Sequence, residues 1–348
     1  MPLPSDPAVI FLGGLFTLAL LATAYVAGEI VLPLVFAFTL KLLLQPIFRV
    51  LERLHIPRVL AALLIIVALI GTIVGLGTAI SGPAANWAAK LPEGIPRLQE
   101  RLSFLRAPIS TLQQFLQQIE NIGGTGARQA GVGPLGGTAL LGTLFTGTRS
   151  FASGLFTTLL FLYFLLISGD TFLRRIVEIL PKFSSKRQAV DISQQIESDI
   201  SAYLLTITIM NAAVGVATAL VMWLTGVGDP VLWGTVAFLL NFAPILGPTV
   251  GVVIFLLAGL LTIDTTWKAF VPAALYLAIH MVEGETVTPM LLARRFTLNP
   301  VLVILSLVFW FWMWGIPGAI LSVPMLAIAK IVCDRVRPLA ALGHFLEG

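Results

Sequence analysis

The stretch "LLNFAPILGPTVG", Leu239–Gly251, interrupts an apolar run that would otherwise form one continuous helix. It places Asn241, Pro244, Gly247 and Pro248 between flanks that are almost free of charge. Proline lacks a backbone donor and clashes with the preceding turn, so a helix bends or ends where it occurs. The stretch therefore divides the run 231–262 into two half-helices. Whether such a break is tolerated depends on what surrounds it.

The composition identifies that surrounding as lipid. Apolar residues occupy 57% of the 348 positions and charged residues 11%, whereas roughly 25% of a soluble domain is charged. A soluble core cannot hide so much apolar surface, so most of the chain has lipid as its solvent. The composition predicts an all-α, polytopic helical membrane protein.

Apolar runs predict five unbroken spans at 8–27, 31–48, 59–80, 151–167 and 203–224. They divide the chain into transmembrane helices 1–3 in region 1–80, an extramembrane region 81–149, and a C-terminal transmembrane region 150–348. Cytoplasmic loops collect Lys and Arg, and Arg49, Arg53 and Arg58 follow the second span. Both termini are therefore expected in the cytoplasm. Lys41, inside the second span, is expected to extend its ammonium group to the same face.

Region 81–149 carries leucines and isoleucines in steps of four and three from Leu91 to Ile119, a heptad pattern. Pro96 and Pro108 favour two kinked amphipathic helices that each begin near a proline, and a glycine-rich linker follows. Two interpretations remain open. The helices pack on the membrane face of their own protein or lie among the headgroups, or the seam joins protomers of a homo-oligomer.

A second apolar run, 300–332, is broken in its centre by "WGIPGAILSVP", which contains Gly315, Pro317 and Gly318. Each half of either run covers only about 15–24 Å as a helix, and the hydrocarbon core is about 30 Å thick. If both runs are kinked single spans the chain has eight crossings, and if both are re-entrant hairpins it has six. The hairpins place Arg294 and Arg295 in the cytoplasm and are favoured for that reason. The tryptophans of "FWFWMW" argue against them, because tryptophan prefers the membrane–water interface to the middle of the bilayer.

Irregular backbone at membrane depth is expected to leave peptide N–H and C=O groups without partners. Such backbone persists only where protein buries it or where it lines a wet cavity, and transporters bind solutes and ions at such breaks. A kink that improves packing is the alternative for any single proline. Two centrally broken runs favour a solute or ion pathway. Its candidate residues at the breaks are Asn241, Pro244, Gly247, Pro248, Gly315, Pro317 and Gly318.

The order of several segments resembles the autoinducer-2 exporter family. They are "LPLVFAFTLKLLLQPIFRVLERLHIPRVLAALL", "LLFLYFLLISGD", "NFAPILGPTVG", "VEGETVTPMLLARRFTLNPV" and "GIPGAILSVPMLAIAK", spread from about Leu32 to Val332. The resemblance implies a multispan transporter of a bacterial inner membrane that exports autoinducer-2, a small oxygen-rich molecule. Some members are associated with exchange of sodium or lithium for protons. The motif match adds Glu283 and Arg294 to the candidate pathway residues.

Glu283 is the candidate coupling carboxylate, because it follows an apolar helix with His280 one turn before it, so the two are expected to share a helix face. An interfacial residue that ends the helix is the alternative. No P-loop, nucleophile elbow, HExxH sequence or cysteine pair is present, so the chain is not expected to be an enzyme, to need a cofactor or to bind nucleic acid. The sequence predicts a secondary-type permease for a small polar solute. The alternatives are a Na⁺(Li⁺)/H⁺ antiporter that uses Glu283 and a non-transporting oligomeric membrane scaffold.

Overall fold

A computed structural model describes residues 7–101, 137–169, 183–243, 245–284 and 299–335, together with residues 343 and 346. The described chain is helical, which confirms the prediction of an all-α polytopic membrane protein. In chain order its helices are α1 (Pro7–Val26), α2 (Gly28–Arg53), α3 (Arg58–Arg101), α4 (Gly137–Ser168), α5 (Phe183–Leu224), α6 (Pro230–Leu240), α7 (Leu246–Thr262), α8 (Thr266–Ala269), α9 (Val271–Val282) and α10 (Pro300–Arg335).

Several helices are longer than the spans expected from the sequence. α3 continues past Ser81 to Arg101, so the expectation that Pro96 begins a new helix is wrong, because Pro96 lies inside α3. α5 begins at Phe183, well before the expected span 203–224, and continues to Leu224 as one helix. A helix satisfies its backbone hydrogen bonds internally, so leaving lipid for water does not by itself end it. Residues 102–136, with most of the heptad pattern, lie outside the described residues.

Four stretches of the described chain are long and apolar enough to cross a membrane: Gly28–Arg53, Arg58–Lys90, Ile192–Leu224 and Pro300–Asp334. Shorter apolar helices lie between them, among them α6, α7 and α9. Length alone does not show how the last stretch or the first broken run is arranged. Contacts between residues that are distant in sequence do.

The first broken run folds back on itself. The ring centroids of Trp233 in α6 and Phe255 in α7 lie 5.7 Å apart. Those residues are 22 positions apart in the sequence, which would be about 33 Å along a straight helix. α6 and α7 therefore form an antiparallel pair, called the first hairpin, with its tip at residues 241–245. Ile245 in this tip has φ 66°, a conformation that a β-branched residue adopts only when its surroundings impose it.

The second broken run also reverses. The hydroxyl of Ser306 donates a hydrogen bond of 2.9 Å to the carbonyl of Ser322, 16 positions further on, which would be about 24 Å away along a straight helix. The reversal occurs at Gly315, whose φ of 65° and ψ of −143° are not helical and are open to glycine because it has no Cβ. α10 therefore consists of two arms, 300–314 and 316–335, called the second hairpin.

The two hairpins point in opposite directions along the molecule. α2 ends and α3 begins at one end of the molecule. We call it the basic end, because Arg49, Arg53 and Arg58 lie there. The opposite end, where α1 meets α2, is called the far end. Asp229, which precedes the first hairpin, accepts a 2.9 Å hydrogen bond from Nε1 of Trp87, 29 positions along α3 from the basic end. The open side of the first hairpin, where the chain enters α6, therefore lies at the far end, and its tip points towards the basic end.

The second hairpin has the reverse orientation. Near the C-terminal end of its second arm, Ile331 belongs to a buried cluster with Leu42 and Ile200. Its tip approaches the far end, where Nε1 of Trp314 donates a 3.3 Å hydrogen bond to the carbonyl of Ala24. The first hairpin is packed separately, in a cluster that contains Trp87, Met222, Trp233, Phe255 and Tyr276.

Candidate functional site

The tip of the first hairpin is joined to the centre of α5 by two asparagines. Nδ2 of Asn241 donates a 2.9 Å hydrogen bond to Oδ1 of Asn211. Asn211 is 3% exposed and lies near the middle of the candidate span Ile192–Leu224. From there to the end of α5 at Leu224 is about 20 Å of helix. The tip therefore lies deep in the apolar part of the molecule.

The backbone at this tip is better satisfied than the sequence led us to expect. The amides of Asn241, Phe242 and Ala243 donate to the carbonyls of Ala237, Leu239 and Leu240, and the amide of Gly247 donates to Ala243 at 2.7 Å. These turn bonds use carbonyls that a helix end would leave free. The polar atoms available at this tip therefore come mainly from side chains, and less from exposed peptide groups than predicted.

Gly247 and Pro248 have clear structural roles at the tip. A Cβ on Gly247 would overlap the carbonyl oxygen of Leu240, so the two helices meet closely only because this residue has no side chain. Pro248 lies in the first turn of α7, where its missing amide hydrogen costs nothing. Pro244 lies outside the described residues.

α9 brings three further polar side chains to the same hairpin. The ring of Tyr276 lies 4.4 Å from that of Phe255 in α7, and the ring of His280 lies 4.5 Å from that of Tyr276. Nδ1 of His280 is 3.8 Å from Oε2 of Glu283. The prediction that His280 and Glu283 share one helix face is confirmed.

The register of α9 against α7 gives the depth of these groups. A Cβ on Gly259 would overlap the carbonyl of Ala269, and a Cβ on Gly251 would overlap the hydroxyl of Tyr276. α9 thus runs antiparallel to α7, towards the tip. One turn beyond Tyr276, His280 is level with Gly247, because both helices advance about 1.5 Å per residue.

Glu283 lies at the depth of Asn211 on α5. It lines a groove of about 520 Å³ between α5 and α9 together with Ile209 and Met210. Those two residues immediately precede Asn211 in the same helix. We call Asn211, Asn241, Tyr276, His280 and Glu283 the polar layer.

Several atoms of the polar layer are buried without a hydrogen-bond partner. Among the described side chains they include Nδ2 of Asn211, the hydroxyl of Tyr276 and Nε2 of His280. An unsatisfied buried polar group costs about 1–3 kcal/mol, so each one calls for an explanation. A polar solute that forms hydrogen bonds with these atoms would supply it.

The second hairpin tip is a separate place. A Cβ on Gly318 would overlap the carbonyl oxygen of Trp310, so Gly318 permits the close turn just as Gly247 does in the first hairpin. Pro317 lies in the first turn of the second arm, two residues after Gly315, and Ile316 is exposed. This tip packs near the junction of α1 and α2, not against the polar layer. Arg294 lies outside the described residues.

Sequence reasoning missed Asn211 and Tyr276. Asn211 stands alone in the apolar stretch "TITIMNAAVG", and an isolated amide at membrane depth is itself a signal of function. Tyr276 gave no such signal, because a tyrosine in an apolar helix is ordinary. Among the described residues, no group of three or more His, Cys, Asp or Glu side chains could hold a metal ion.

Comparison with known proteins decides the family. The model for the AI-2E family transporter matches residues 15–337. The chain belongs to this family. It is 28% identical over 313 residues to "AI-2 transport protein TqsA" of Escherichia coli K12, covering 89% of this chain and 87% of that protein. It is 25% identical over 330 residues to "Putative transport protein YhhT" of the same strain, covering 91% and 88%.

Membership of the AI-2E family establishes a multi-pass membrane transporter and agrees with the resemblance noted from the sequence. It also gives the polar layer a context, since a transporter requires polar groups inside an apolar body.

Proposed function

We propose that this AI-2E family member is a secondary-type permease whose pathway passes the polar layer at the tip of the first hairpin. The observation that carries the proposal is the Asn211–Asn241 contact, which fixes a helix break at the centre of an apolar span. Buried polar atoms of Asn211, Tyr276 and His280 that lack a hydrogen-bond partner among the described residues support it. Residues Gly247 and Pro248 shape the tip but offer no side-chain polar atom.

The proposed solute is small, polar and rich in hydroxyl groups. Apart from the carboxylate of Glu283, the side chains of the layer are two amides, a phenol and an imidazole, which offer uncharged donors and acceptors when the imidazole is neutral. Such groups match hydroxyls better than they match a strongly charged ion. One relative is named as a transporter of AI-2. An autoinducer-2-like molecule is therefore the first solute to test, with export as the proposed direction.

The proposed topology has six full crossings. The first hairpin enters the membrane from outside and the second from the cytoplasm, since they open at opposite ends of the molecule. We propose that the basic end is cytoplasmic, because cytoplasmic loops collect Lys and Arg, and both termini then lie in the cytoplasm as well. The second hairpin, with Gly315, Pro317 and Gly318, is proposed to serve as a scaffold that packs on α5 apart from the polar layer, and Arg294 to mark orientation.

A second candidate function is exchange of a monovalent cation for protons at Glu283. The 3.8 Å distance between His280 and Glu283 favours it, because a carboxylate beside an imidazole at membrane depth is suited to ion or proton transfer. The scaffold alternative, in which the chain self-associates through the heptad pattern, depends on residues 102–119, outside the described residues.

Purified protein in liposomes tests these functions. Efflux of autoinducer-2 and of Na⁺ and Li⁺ is measured with and without a proton gradient, for the wild type and for Glu283→Gln. The permease hypothesis expects autoinducer-2 flux well above that of empty liposomes, with at least a partial flux remaining in Glu283→Gln. The antiporter hypothesis expects a cation gradient to drive proton movement, and expects Glu283→Gln to abolish that movement.

Substitution of Asp264 by Asn is the matched control, since Asp264 is an acidic residue in the turn between α7 and α8, away from the polar layer. It should leave both fluxes unchanged. Normal insertion of the wild type without flux of autoinducer-2 or cations would contradict both transport proposals for these solutes and favour the scaffold.

A further inference from the structure

A polar cavity of about 320 Å³ lies near the basic end, far from the hairpin tips. It is formed by α2, the start of α3, the end of α4 and the first half of α5. Its lining is Lys41, Gln45, Phe48, Arg49, Glu52, Arg58, Leu166, Gly169, Gln194 and Glu197. None of these residues belongs to the polar layer.

The cavity arises because two helices turn polar faces to each other. Lys41, Gln45 and Arg49 follow one another at intervals of four on α2 and therefore share a face. Gln194 and Glu197, three apart on α5, line the same space. These side chains form a row of polar groups that extends from the basic end to Lys41. Lys41 precedes Arg49 in α2 and lies about 12 Å deeper in the molecule.

The sequence led us to expect that Lys41 extends to the cytoplasmic face, and the structure gives it a partner instead. Its Nζ is 3.9 Å from Oε1 of Glu197, and the two side chains are 15% and 17% exposed. That separation is too long for a hydrogen bond, and Oε1 of Glu197 is buried without a hydrogen-bond partner among the described residues. The ammonium of Lys41 therefore keeps donors free for a ligand.

The other two cations of the cavity differ in their bonding. Nε of Arg58 is 2.8 Å from Oε1 of Glu52, so this guanidinium is already held by a carboxylate. Arg49 has no ion-pair partner among the described residues. Of the side chains that the structure describes, three cationic and two anionic ones line the cavity, so this described lining carries one positive charge in excess.

We propose that this cavity binds the oxyanion of a phosphate group, with Arg49 and Lys41 as the main ligands and the amides of Gln45 and Gln194 as further donors. A guanidinium fork binds phosphate oxygens in pairs, and an excess of one positive charge suits a phosphate monoanion or diester. Basic pockets between transmembrane helices bind lipid headgroups by this chemistry. The phosphate comes from a lipid such as phosphatidylglycerol or from a free phosphate compound.

The test measures binding to the purified full chain in detergent from the shift in thermal unfolding midpoint, because a ligand of the folded state raises that midpoint. Inorganic phosphate is one probe, with chloride keeping the ionic strength constant. Phosphatidylglycerol added to mixed micelles is the other, with phosphatidylcholine as its neutral control. At least one probe should stabilise the wild type, and the probe that does so identifies the source of the phosphate.

Arg49→Gln should raise the apparent dissociation constant of that probe about tenfold, the loss expected for one charge-assisted hydrogen bond. The double variant Lys41→Gln with Glu197→Gln removes the deeper ligand without leaving a buried charge unpaired, and it should weaken binding as well. Arg53→Gln is the matched control, because Arg53 is on the same helix but does not line the cavity. Its apparent dissociation constant should stay within about twofold of the wild-type value, a change well below that expected for the loss of one hydrogen bond.

Two results would overturn the proposal. One is that neither probe shifts the wild-type midpoint. The other is that Arg53→Gln weakens binding as much as Arg49→Gln, which would show a general effect of surface charge. If Arg49→Gln does not fold, Arg49→Lys keeps the charge but not the fork and should still weaken binding, whereas unchanged affinity would count against Arg49 as a ligand. Flux of autoinducer-2 is a separate measurement from phosphate binding. Failure of this proposal can therefore be distinguished from failure of the proposed permease function.

Discussion

Asn241 and Asn211, 30 positions apart in the sequence, meet side chain to side chain at 2.9 Å. The contact ties the tip of the first hairpin to the centre of α5, and it is the link on which the proposed pathway depends. An amide pair is a suitable link inside lipid, because each amide carries both donors and acceptors and can bind a solute while still holding its partner.

The Asn pair is expected to serve transport more than stability. Asn241→Ala should lower solute flux at least tenfold and destabilise the fold by about 1–3 kcal/mol, because Asn211 is left buried without its donor. The double variant Asn211→Leu with Asn241→Leu should regain much of that stability but not the flux, because replacing both partners by apolar groups can be nearly neutral. Flux in liposomes and thermal unfolding in detergent provide the two measurements.

Thr235→Ala is the control for the Asn variants. Thr235 lies in the same hairpin, and its hydroxyl bonds to the carbonyl of Val231 within its own helix. Full flux in the double leucine variant would show that the pair is a packing contact and would remove the main support for the pathway.

Tyr276→Phe separates a solute contact from a structural one. The hydroxyl of Tyr276 is buried without a hydrogen-bond partner, so its removal should leave the thermal midpoint unchanged or raise it. If the hydroxyl contacts the solute, the same variant should raise the KM for transport about tenfold, the equivalent of about 1.4 kcal/mol. Tyr25→Phe is the control, since Tyr25 is an exposed ring stacked on Trp312 at 5.4 Å. An unchanged KM in Tyr276→Phe would exclude this hydroxyl from the site.

The glycines at the two hairpins should be intolerant of a methyl group. Gly247→Ala and Gly318→Ala each place a Cβ against a backbone carbonyl of the opposing arm, and overpacking of this kind costs about 1–3 kcal/mol. Gly75→Ala, on α3 with nothing within 4 Å of the added Cβ, should instead be neutral or stabilise by about 0.5–1 kcal/mol. Thermal unfolding in detergent gives all three values. Equal midpoints for Gly247→Ala and Gly75→Ala would be incompatible with the close approach at the first tip.

The membrane topology can be tested by thiol labelling of intact cells. In a Cys333→Ser background, single cysteines replace Thr265, which is exposed beside the first hairpin, or Thr297, just before the second. Hairpins that enter from opposite faces predict that the Thr265→Cys variant reacts with an impermeant reagent and that the Thr297→Cys variant reacts only after the cells are opened. The reverse pattern would support eight crossings.

Much of this molecule could be predicted from the sequence. Apolar content identified lipid as the solvent, since no folding of the chain can hide that much apolar surface from water. Proline and glycine located both helix breaks, because their effects on the backbone are local. The shared face of His280 and Glu283 also followed from spacing alone, as residues three apart on a helix lie side by side.

The tertiary structure decided where the chain goes after each break. A kinked helix and a hairpin have the same local sequence, and the contacts of Trp233 with Phe255 and of Ser306 with Ser322 distinguish them. Likewise, the partners of Asn241 and Lys41 lie on α5, far along the chain. Periodicity reports which residues share a helix face, but which faces meet depends on how all the helices pack, and that is a property of the whole fold.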